Sequence, residues 1–166
     1  SILISSSILS FYLIPIFLAI LLTNKQKFLV NKKQQLLILI VSIVIILFLS
    51  TFFDYNYKIG GGYFLKLSYL TTNTEILFFI SSTVGLMLLF NIMLEDKDNI
   101  LLIFLLIFGF SAYYIFQKYF EPMFFFIFFL MIKSSITKVF LKDMKNIYFL
   151  FFYLGIYLTT AIINNL

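Results

Sequence analysis

Two short polar segments interrupt an otherwise apolar chain, and both carry residue types that can bind a phosphorylated ligand. The first, "DYNYKIGGGYFLKLS", starts at Asp54, holds Gly60, Gly61 and Gly62 in a row, and contains Lys66. Consecutive glycines permit positive φ angles and close approach of backbone to a ligand, and amide N–H groups in such a turn can cradle a phosphate. We therefore interpret these five residues as candidate substrate-binding residues. The structural alternative is a flexible turn that leads into an interfacial helix.

The second segment, "FQKYFEPM", spans residues 116–123 and carries the candidate substrate-binding residues Lys118, Tyr119 and Glu121. An ammonium and a carboxylate can hold phosphate and hydroxyl groups, and an aromatic face can stack on a sugar ring. The structural alternative is a hairpin turn between two membrane helices. In that case Lys118 and Glu121 pair at i, i+3, Pro122 lies in the first turn of the next helix, and Glu121 complements its dipole.

The composition requires a membrane environment for these segments. The chain is 63% hydrophobic and 11% charged, with a mean hydropathy of +1.09. A soluble domain of 166 residues cannot bury that much apolar surface, whereas a lipid bilayer accommodates it. The chain has no Cys and no His, which excludes disulfides, thiolate or imidazole metal sites and Ser-His-Asp chemistry within it.

The apolar stretches predict an all-α polytopic membrane protein with about six transmembrane helices and two short external loops, forming one transmembrane helical domain over residues 1–166. We expect the chain to be a fragment of a larger helical bundle, because it begins at Ser1 rather than Met. The predicted spans are residues 2–22, 36–53, 76–94, 100–115, 123–140 and 147–163.

The lysines predict which loops lie in the cytoplasm. Nine of the 12 lysines fall in the odd-numbered loops, and cytoplasmic loops are enriched in Lys. The map therefore places "DYNYKIGGGYFLKLS", "FQKYFEPM" and both ends of the chain outside. The acidic "EDKDN" of the third loop predicts a solvated turn. The nine lysines are Lys25, Lys27, Lys32 and Lys33 in the first loop, Lys97 in the third, and Lys133, Lys138, Lys142 and Lys145 in the fifth.

The two external segments, separated by two spans, resemble part of the polytopic glycosyltransferases of the GT-C class, such as the dolichyl-phosphoglucose α-1,2-glucosyltransferases. In several such families a late external loop carries an acidic residue, Arg-Tyr, one or two apolar residues and Pro, and then enters an apolar helix. Here "QKYFEPMFFFIFFLM" is similar, with Lys118 in place of Arg and Glu121 after Tyr119 rather than before the basic residue. The resemblance covers residues 54–132.

The resemblance implies the C-terminal portion of a membrane glycosyltransferase, a hexosyltransferase, that uses a polyprenyl-phosphate-linked sugar at the external face of a bacterial inner membrane. Its partners would be membrane lipid and that donor, with no nucleic acid. It implies no cofactor or metal within this chain, and any divalent metal would be bound by residues upstream. Two alternatives stay open: a transporter, flippase or polysaccharide-export protein, and a small structural subunit of a membrane complex.

Overall fold

The structure, a computed structural model, describes residues 2–23, 32–109 and 114–164 and is an all-α polytopic protein. Within these ranges the chain forms helices and turns and contains no strand. The helices are α1 (Ile2–Thr23), α2 (Lys32–Ser50), α3 (Tyr63–Thr72), α4 (Ile76–Glu95), α5 (Asp98–Phe108), α6 (Gln117–Phe126), α7 (Ser135–Lys142) and α8 (Met144–Asn164), with a 3-10 helix at Tyr57–Ile59 and a π-helical turn at Ile127–Met131.

Four of the described helices, α1, α2, α4 and α8, are long and apolar enough to cross a membrane. They correspond to the first, second, third and sixth predicted spans. The fifth predicted span, residues 123–140, is not straight: α6 and its π-helical turn end at Met131, and α7 leaves at an angle of 96°. The fourth, residues 100–115, is helical only to Phe108, and residues 110–113 lie outside the described part. Counting the bent pair as one, the described residues contain up to five candidate spans.

Helix α1 forms the centre of the bundle. Its most apolar 18-residue window is 78% buried by the rest of the protein, against 17% for α2 and 11% for α8. It packs on each of the other seven helices described, so most of its side chains are buried, and the exposed ones lie toward its C-terminal end. The outer helices α2 and α8 instead turn large apolar side chains outward, which suits contact with lipid.

Small residues allow α1 and α4 to approach closely. A Cβ atom at Gly85 of α4 would collide with the Ser6 carbonyl oxygen of α1. The Ser7 and Ser81 hydroxyls lie 2.7 Å apart, and the Ser82 hydroxyl donates to the Leu3 carbonyl at 3.0 Å. Contacts of small residues and hydroxyl hydrogen bonds are the usual means by which helices associate in lipid, where apolar burial gives little driving force.

Asparagine side chains join the helices at one end of the bundle, which we call the asparagine end. The Thr23 hydroxyl donates to Asn146 Oδ1 at 2.8 Å, and Gln35 Nε2 donates to Asn91 Oδ1 at 2.6 Å. These hydrogen bonds join α1 to α8 and α2 to α4, and those of Asn99 join α5 to the segment before α7. The described residues that flank the first, third and fifth loops therefore lie at the same end of the bundle. Lys25 and Lys27 of the first loop lie outside the described residues.

The bend between α6 and α7 is held by the third loop. Buried Asn99 accepts a hydrogen bond from the Lys133 N–H at 2.9 Å and donates to the carbonyl oxygens of Lys133 and Ile92, both at 3.0 Å. Glu95 accepts from the Ser135 N–H at 2.6 Å and from the Ser134 hydroxyl at 3.0 Å. The prediction of a solvated turn at "EDKDN" was therefore wrong for Asn99, which is buried, whereas Glu95 is exposed and also binds the start of α7.

Candidate anion-binding site

The three consecutive glycines adopt a backbone conformation that other residues rarely take. Their φ angles are 133° at Gly60, 83° at Gly61 and 81° at Gly62, all in the region that favours glycine. The Gly61 N–H donates to the Ile115 carbonyl at 2.9 Å, and a Cβ at Gly60 would lie 2.9 Å from the same oxygen. This backbone therefore lies close to Ile115, the residue that precedes the second polar segment, and its close approach to a ligand stays a prediction.

Tyr55 reinforces the junction between the two segments. Its phenolic oxygen accepts a hydrogen bond from the Ile115 N–H at 3.0 Å. Burial raises the pKa of Tyr55, although the hydrogen bond that it accepts from Ile115 opposes that effect. Because the oxygen and the Gly61 N–H together satisfy both backbone groups of Ile115, the two segments are fixed relative to each other.

The second segment is mostly helix, not turn. Helix α6 begins at Gln117, so Pro122 is its sixth residue and does not lie in its first turn, and the expected position of the hairpin was wrong. The expected ion pair between Lys118 and Glu121 is also not formed. The Lys118 ammonium instead lies over the rings of Phe116 and Tyr119, 5.7 and 5.4 Å from their centroids.

Gln117 places an unsatisfied amide nitrogen between the two segments. Its side chain is only 7% exposed, and its Oε1 accepts a hydrogen bond from the Tyr63 N–H at the start of α3, at 2.8 Å. Its Nε2 has no hydrogen-bond partner among the residues that the structure describes. A buried amide nitrogen without an acceptor is unfavourable by about 1–3 kcal/mol, so an acceptor supplied by a ligand would stabilise it.

A cavity of about 180 Å³ separates the two segments, at what we call the glycine end of the bundle. It has two lysines and no carboxylate in its lining, and tyrosines of α3 and α8 form part of its wall. Such a lining favours an anion, because two ammonium groups and an amide N–H all stabilise negative charge. The lining residues are Gly60, Gly62, Tyr63, Lys66, Phe116, Gln117, Lys118 and Tyr157.

Beside this cavity, Glu121 lies one helical turn after Gln117. Its Oε1 accepts a hydrogen bond from the fully buried Tyr12 hydroxyl at 3.1 Å. The Tyr12 ring stacks on Phe124, with 5.1 Å between centroids, so the hydroxyl is held firmly toward α6. The carboxylate is half-buried, and this polar pair lies among aromatic side chains.

The structure brings together four of the eight predicted site residues in the lining of one cavity: Gly60, Gly62, Lys66 and Lys118. Gly61 adjoins them through its hydrogen bond to Ile115, and Glu121 lies one turn along α6. Asp54 and Tyr119 are exposed and do not line the cavity.

Sequence reasoning missed three residues that define the site: Gln117, Tyr12 and Tyr157. Gln117 is a polar residue at the start of an apolar helix, and such a position can indicate a binding residue. Its burial, however, depends on its contact with α3, which the local sequence does not show. Tyr12 and Tyr157 come from the first and last helices. Nothing in their local sequence indicates that they meet the polar segments, because their positions follow from the packing of the whole bundle.

The asparagine end also contains a cavity, of about 630 Å³, lined by Glu95, Lys133, Lys138 and the apolar turn before the bend. Its polar groups are largely engaged already: Glu95 binds the α7 N-terminus, and Lys133 pairs with Asp98 at 2.6 Å. Among the residues that the structure describes, no group of three or more acidic side chains could hold a metal ion. No protein-family model, curated protein or solved structure matches the chain.

Proposed function

We propose that this chain is part of a membrane glycosyltransferase that takes its sugar from a polyprenyl-phosphate donor. The observation that carries the proposal is the cavity at the glycine end, whose lining contains Lys66, Lys118 and Gln117 and no carboxylate. A phosphate is the group that this combination of charges and donors suits best. The phosphate of the donor would lie there.

The surroundings of the cavity suit the rest of such a donor. The rings of Tyr63 and Tyr157 lie 5.3 Å apart at nearly right angles, and aromatic walls of this kind pack on the apolar faces of a sugar. The helices beside them are long and apolar, so the polyprenyl chain can remain in lipid while its phosphate reaches the cavity.

The lysine distribution supports an external location for the proposed reaction. Cytoplasmic loops are enriched in Lys, and the odd-numbered loops carry nine of the 12 lysines. The glycine end and both ends of the chain then lie outside, and a bacterial inner membrane is the proposed location. The polar segments of the glycine end would meet a donor that is presented in the outer leaflet.

The test measures transfer of labelled sugar from a polyprenyl-phosphate donor in membranes that contain the full-length protein. We expect Lys118→Gln and Lys66→Gln each to reduce the rate, because loss of a hydrogen bond to a charged group costs about 1.5–3 kcal/mol, or about ten- to hundredfold. Lys118→Arg should keep most of the activity, since the charge remains. Lys58→Gln is the matched control, because Lys58 is exposed in the same segment but does not line the cavity.

Each outcome decides between functions. Equal rates in Lys58→Gln and in the two cavity variants would contradict a phosphate at this site. Binding of the donor by the wild-type protein without any transfer would overturn the transferase and favour a transporter or flippase. Neither binding nor transfer would favour a structural subunit.

A further inference from the structure

Lys118 and Glu121 lie three residues apart on α6, where side chains at positions i and i+3 are neighbours and can form an ion pair. They do not pair in the structure. The Lys118 ammonium lies over the rings of Phe116 and Tyr119, and the Glu121 carboxylate bonds to a different helix. Lys118 is exposed, whereas Glu121 is half-buried. The two opposite charges of one helical turn are therefore held apart, each by its own partners.

The partner of Glu121 is Tyr12 of the central helix α1. The Tyr12 hydroxyl donates to Glu121 Oε1 at 3.1 Å, and because Tyr12 is fully buried, this hydrogen bond turns the carboxylate toward the interior of the bundle. The Tyr12 ring stacks on Phe124, with 5.1 Å between centroids, and meets the edge of Phe125 at 5.6 Å. The packed ring holds the hydroxyl in place, so the donor that directs Glu121 is fixed by the core.

The partners of Lys118 hold its ammonium without cancelling its charge. An aromatic face attracts a cation through its quadrupole and carries no net charge of its own. The two rings are fixed at the start of α6, because the Tyr119 N–H donates to the Phe116 carbonyl at 3.2 Å and the ring centroids lie 5.7 Å apart at nearly right angles. An ion pair with Glu121 would instead neutralise the ammonium, and it would have to break before Lys118 could bind an anion.

This separation of charges decides how positive the glycine-end cavity is. The lining contains two lysines, Lys66 and Lys118, and Glu121 is not part of it. If the Glu121 carboxylate turned along α6 toward Lys118, the charge of one of these lysines would be neutralised. The carboxylate would also repel an anion bound beside Lys118. The attraction of the cavity for an anion therefore depends on where Glu121 is held.

We infer that Tyr12 is a positioning residue of the anion-binding site: its hydroxyl holds Glu121 toward α1 and thereby keeps Lys118 available to an anionic ligand. The inference rests on the proposed phosphate site, and it gives Glu121 no contact with the ligand. Tyr12 acts through Glu121 and Lys118, although its own side chain does not line the cavity. Removal of the carboxylate should consequently be harmless to anion binding, whereas its release from Tyr12 should not be.

The experiment measures the concentration of labelled polyprenyl phosphate that gives half-maximal photo-crosslinking in membranes containing the full-length protein. Tyr12→Phe keeps the stacked ring and removes the donor, so the freed carboxylate competes with the phosphate for Lys118. We expect binding to weaken about two- to fivefold, which corresponds to an exposed ion pair of ordinary strength. Glu121→Gln should bind at least as tightly as the wild type, because a neutral amide does not neutralise Lys118. The double variant Tyr12→Phe/Glu121→Gln should recover the wild-type affinity.

Tyr153→Phe is the matched control for the loss of a tyrosine hydroxyl. Tyr153 is half-buried on α8, its ring packs on Phe11 with 5.1 Å between centroids, and it does not line the cavity. Its removal should leave binding unchanged. A second control combines Tyr12→Phe with Lys118→Gln: once the ammonium is absent, the freed carboxylate has nothing to neutralise, and Tyr12→Phe should weaken binding no further.

The outcomes separate this inference from the transferase itself. Wild-type affinity in Tyr12→Phe would overturn the inference and leave the phosphate site standing. Weak binding that persists in Tyr12→Phe/Glu121→Gln would show that the hydroxyl acts through the packing of the bundle, and would overturn it as well. The expected recovery in a protein that transfers no sugar would support the positioning role and remove the transferase. A wild-type protein that binds no polyprenyl phosphate would remove both.

Discussion

The two ends of the bundle place polar side chains in different ways. At the asparagine end, buried Asn99 uses its oxygen once and its nitrogen twice, and Glu95 binds the backbone and hydroxyl groups at the start of α7. At the glycine end, Gln117 satisfies only its oxygen, and Lys66 and Lys118 have no carboxylate beside them in the cavity lining. Asn99 and Glu95 are thus satisfied by the described chain, whereas Gln117 Nε2 has no partner within it.

Whether the polar groups of a cavity are already satisfied indicates a ligand-binding site better than the volume of the cavity does. The cavity at the asparagine end is the larger, about 630 against 180 Å³, yet Glu95, Asp96 and Lys133 in its lining already bond to the protein. Buried polar groups are normally satisfied, and each exception requires an explanation. One buried amide from each end, Asn99 and Gln117, therefore provides a direct test of the contrast between a structural end and a functional one.

The largest effect on stability is expected from Asn99→Leu. This substitution keeps the shape of the side chain but leaves the Lys133 N–H and the carbonyls of Lys133 and Ile92 without their partner. Since each unsatisfied group costs about 1–3 kcal/mol, the free energy of unfolding should fall by about 3 kcal/mol or more. Thermal and denaturant unfolding in detergent measure it, and transfer per folded molecule should be unchanged.

Gln117→Met is the counterpart of that variant at the other end. It removes one hydrogen bond, to the Tyr63 N–H, and also removes the unsatisfied Nε2, so stability should fall by only about 1 kcal/mol. Transfer of sugar should fall much more than stability. Equal losses of stability in the two variants, with transfer equally affected, would remove the distinction between the ends.

Gly62→Ala tests whether the glycine end depends on its backbone. Gly62 has φ 81° and ψ 175°, a region in which an L-residue is strained by about 1–3 kcal/mol, and the new Cβ would lie 2.6 Å from Ile8 Cγ1. We expect a loss of about 2 kcal/mol in stability together with a loss of transfer, because the cavity wall must shift.

Gly155→Ala is the control for that prediction. A Cβ there meets no atom within 4 Å, and alanine favours a helix interior over glycine by about 1 kcal/mol. Stability should therefore stay constant or rise, with transfer unaffected. A Gly62→Ala protein as stable and active as Gly155→Ala would show that the backbone of the cavity tolerates a side chain.

The parts of the fold that follow from local sequence were predictable. Long apolar runs gave the positions of α1, α2, α4 and α8, and three consecutive glycines indicated positive φ. The bend before α7 was not predicted, because "IKSS" contains neither Pro nor Gly. It is fixed by Asn99, which lies 34 residues earlier in the chain and binds both backbone groups of Lys133.

The candidate site shows the same division. The lysines and glycines of the two polar segments could be predicted as candidate binding residues because their residue types suit an anionic ligand. The structure places four of them in the lining of one cavity. Asp54 and Tyr119 were included because they share those segments, although their side chains are exposed elsewhere. The roles of Gln117 and Tyr12 depend on contacts across 54 and 109 residues, and local pattern carries no information on such distances.

The smallest effect is expected at Tyr69, a satisfied group at the glycine end that lies outside the cavity. Its hydroxyl donates to Glu75 Oε1 at 2.6 Å, and that hydrogen bond, with burial, raises the pKa of Tyr69 from 10.0 to about 12. The folded state therefore holds the phenolic proton more tightly than the unfolded state does. The resulting stabilisation is complete below pH 10 and is lost as the pH rises from 10 to about 12.

Tyr69→Phe isolates this contribution. The ultraviolet absorbance of tyrosinate, compared between wild type and variant, should reveal one residue that ionises near pH 12, and Glu75→Gln should bring that ionisation back toward pH 10. Because the pair is partly exposed, the change in stability at neutral pH should stay below about 1 kcal/mol. Transfer should be unchanged. If Tyr69→Phe lowered transfer as strongly as Lys118→Gln, the functional region of the glycine end would extend beyond the cavity. Unsatisfied polar groups such as Gln117 Nε2 would then not be sufficient to identify the functional residues.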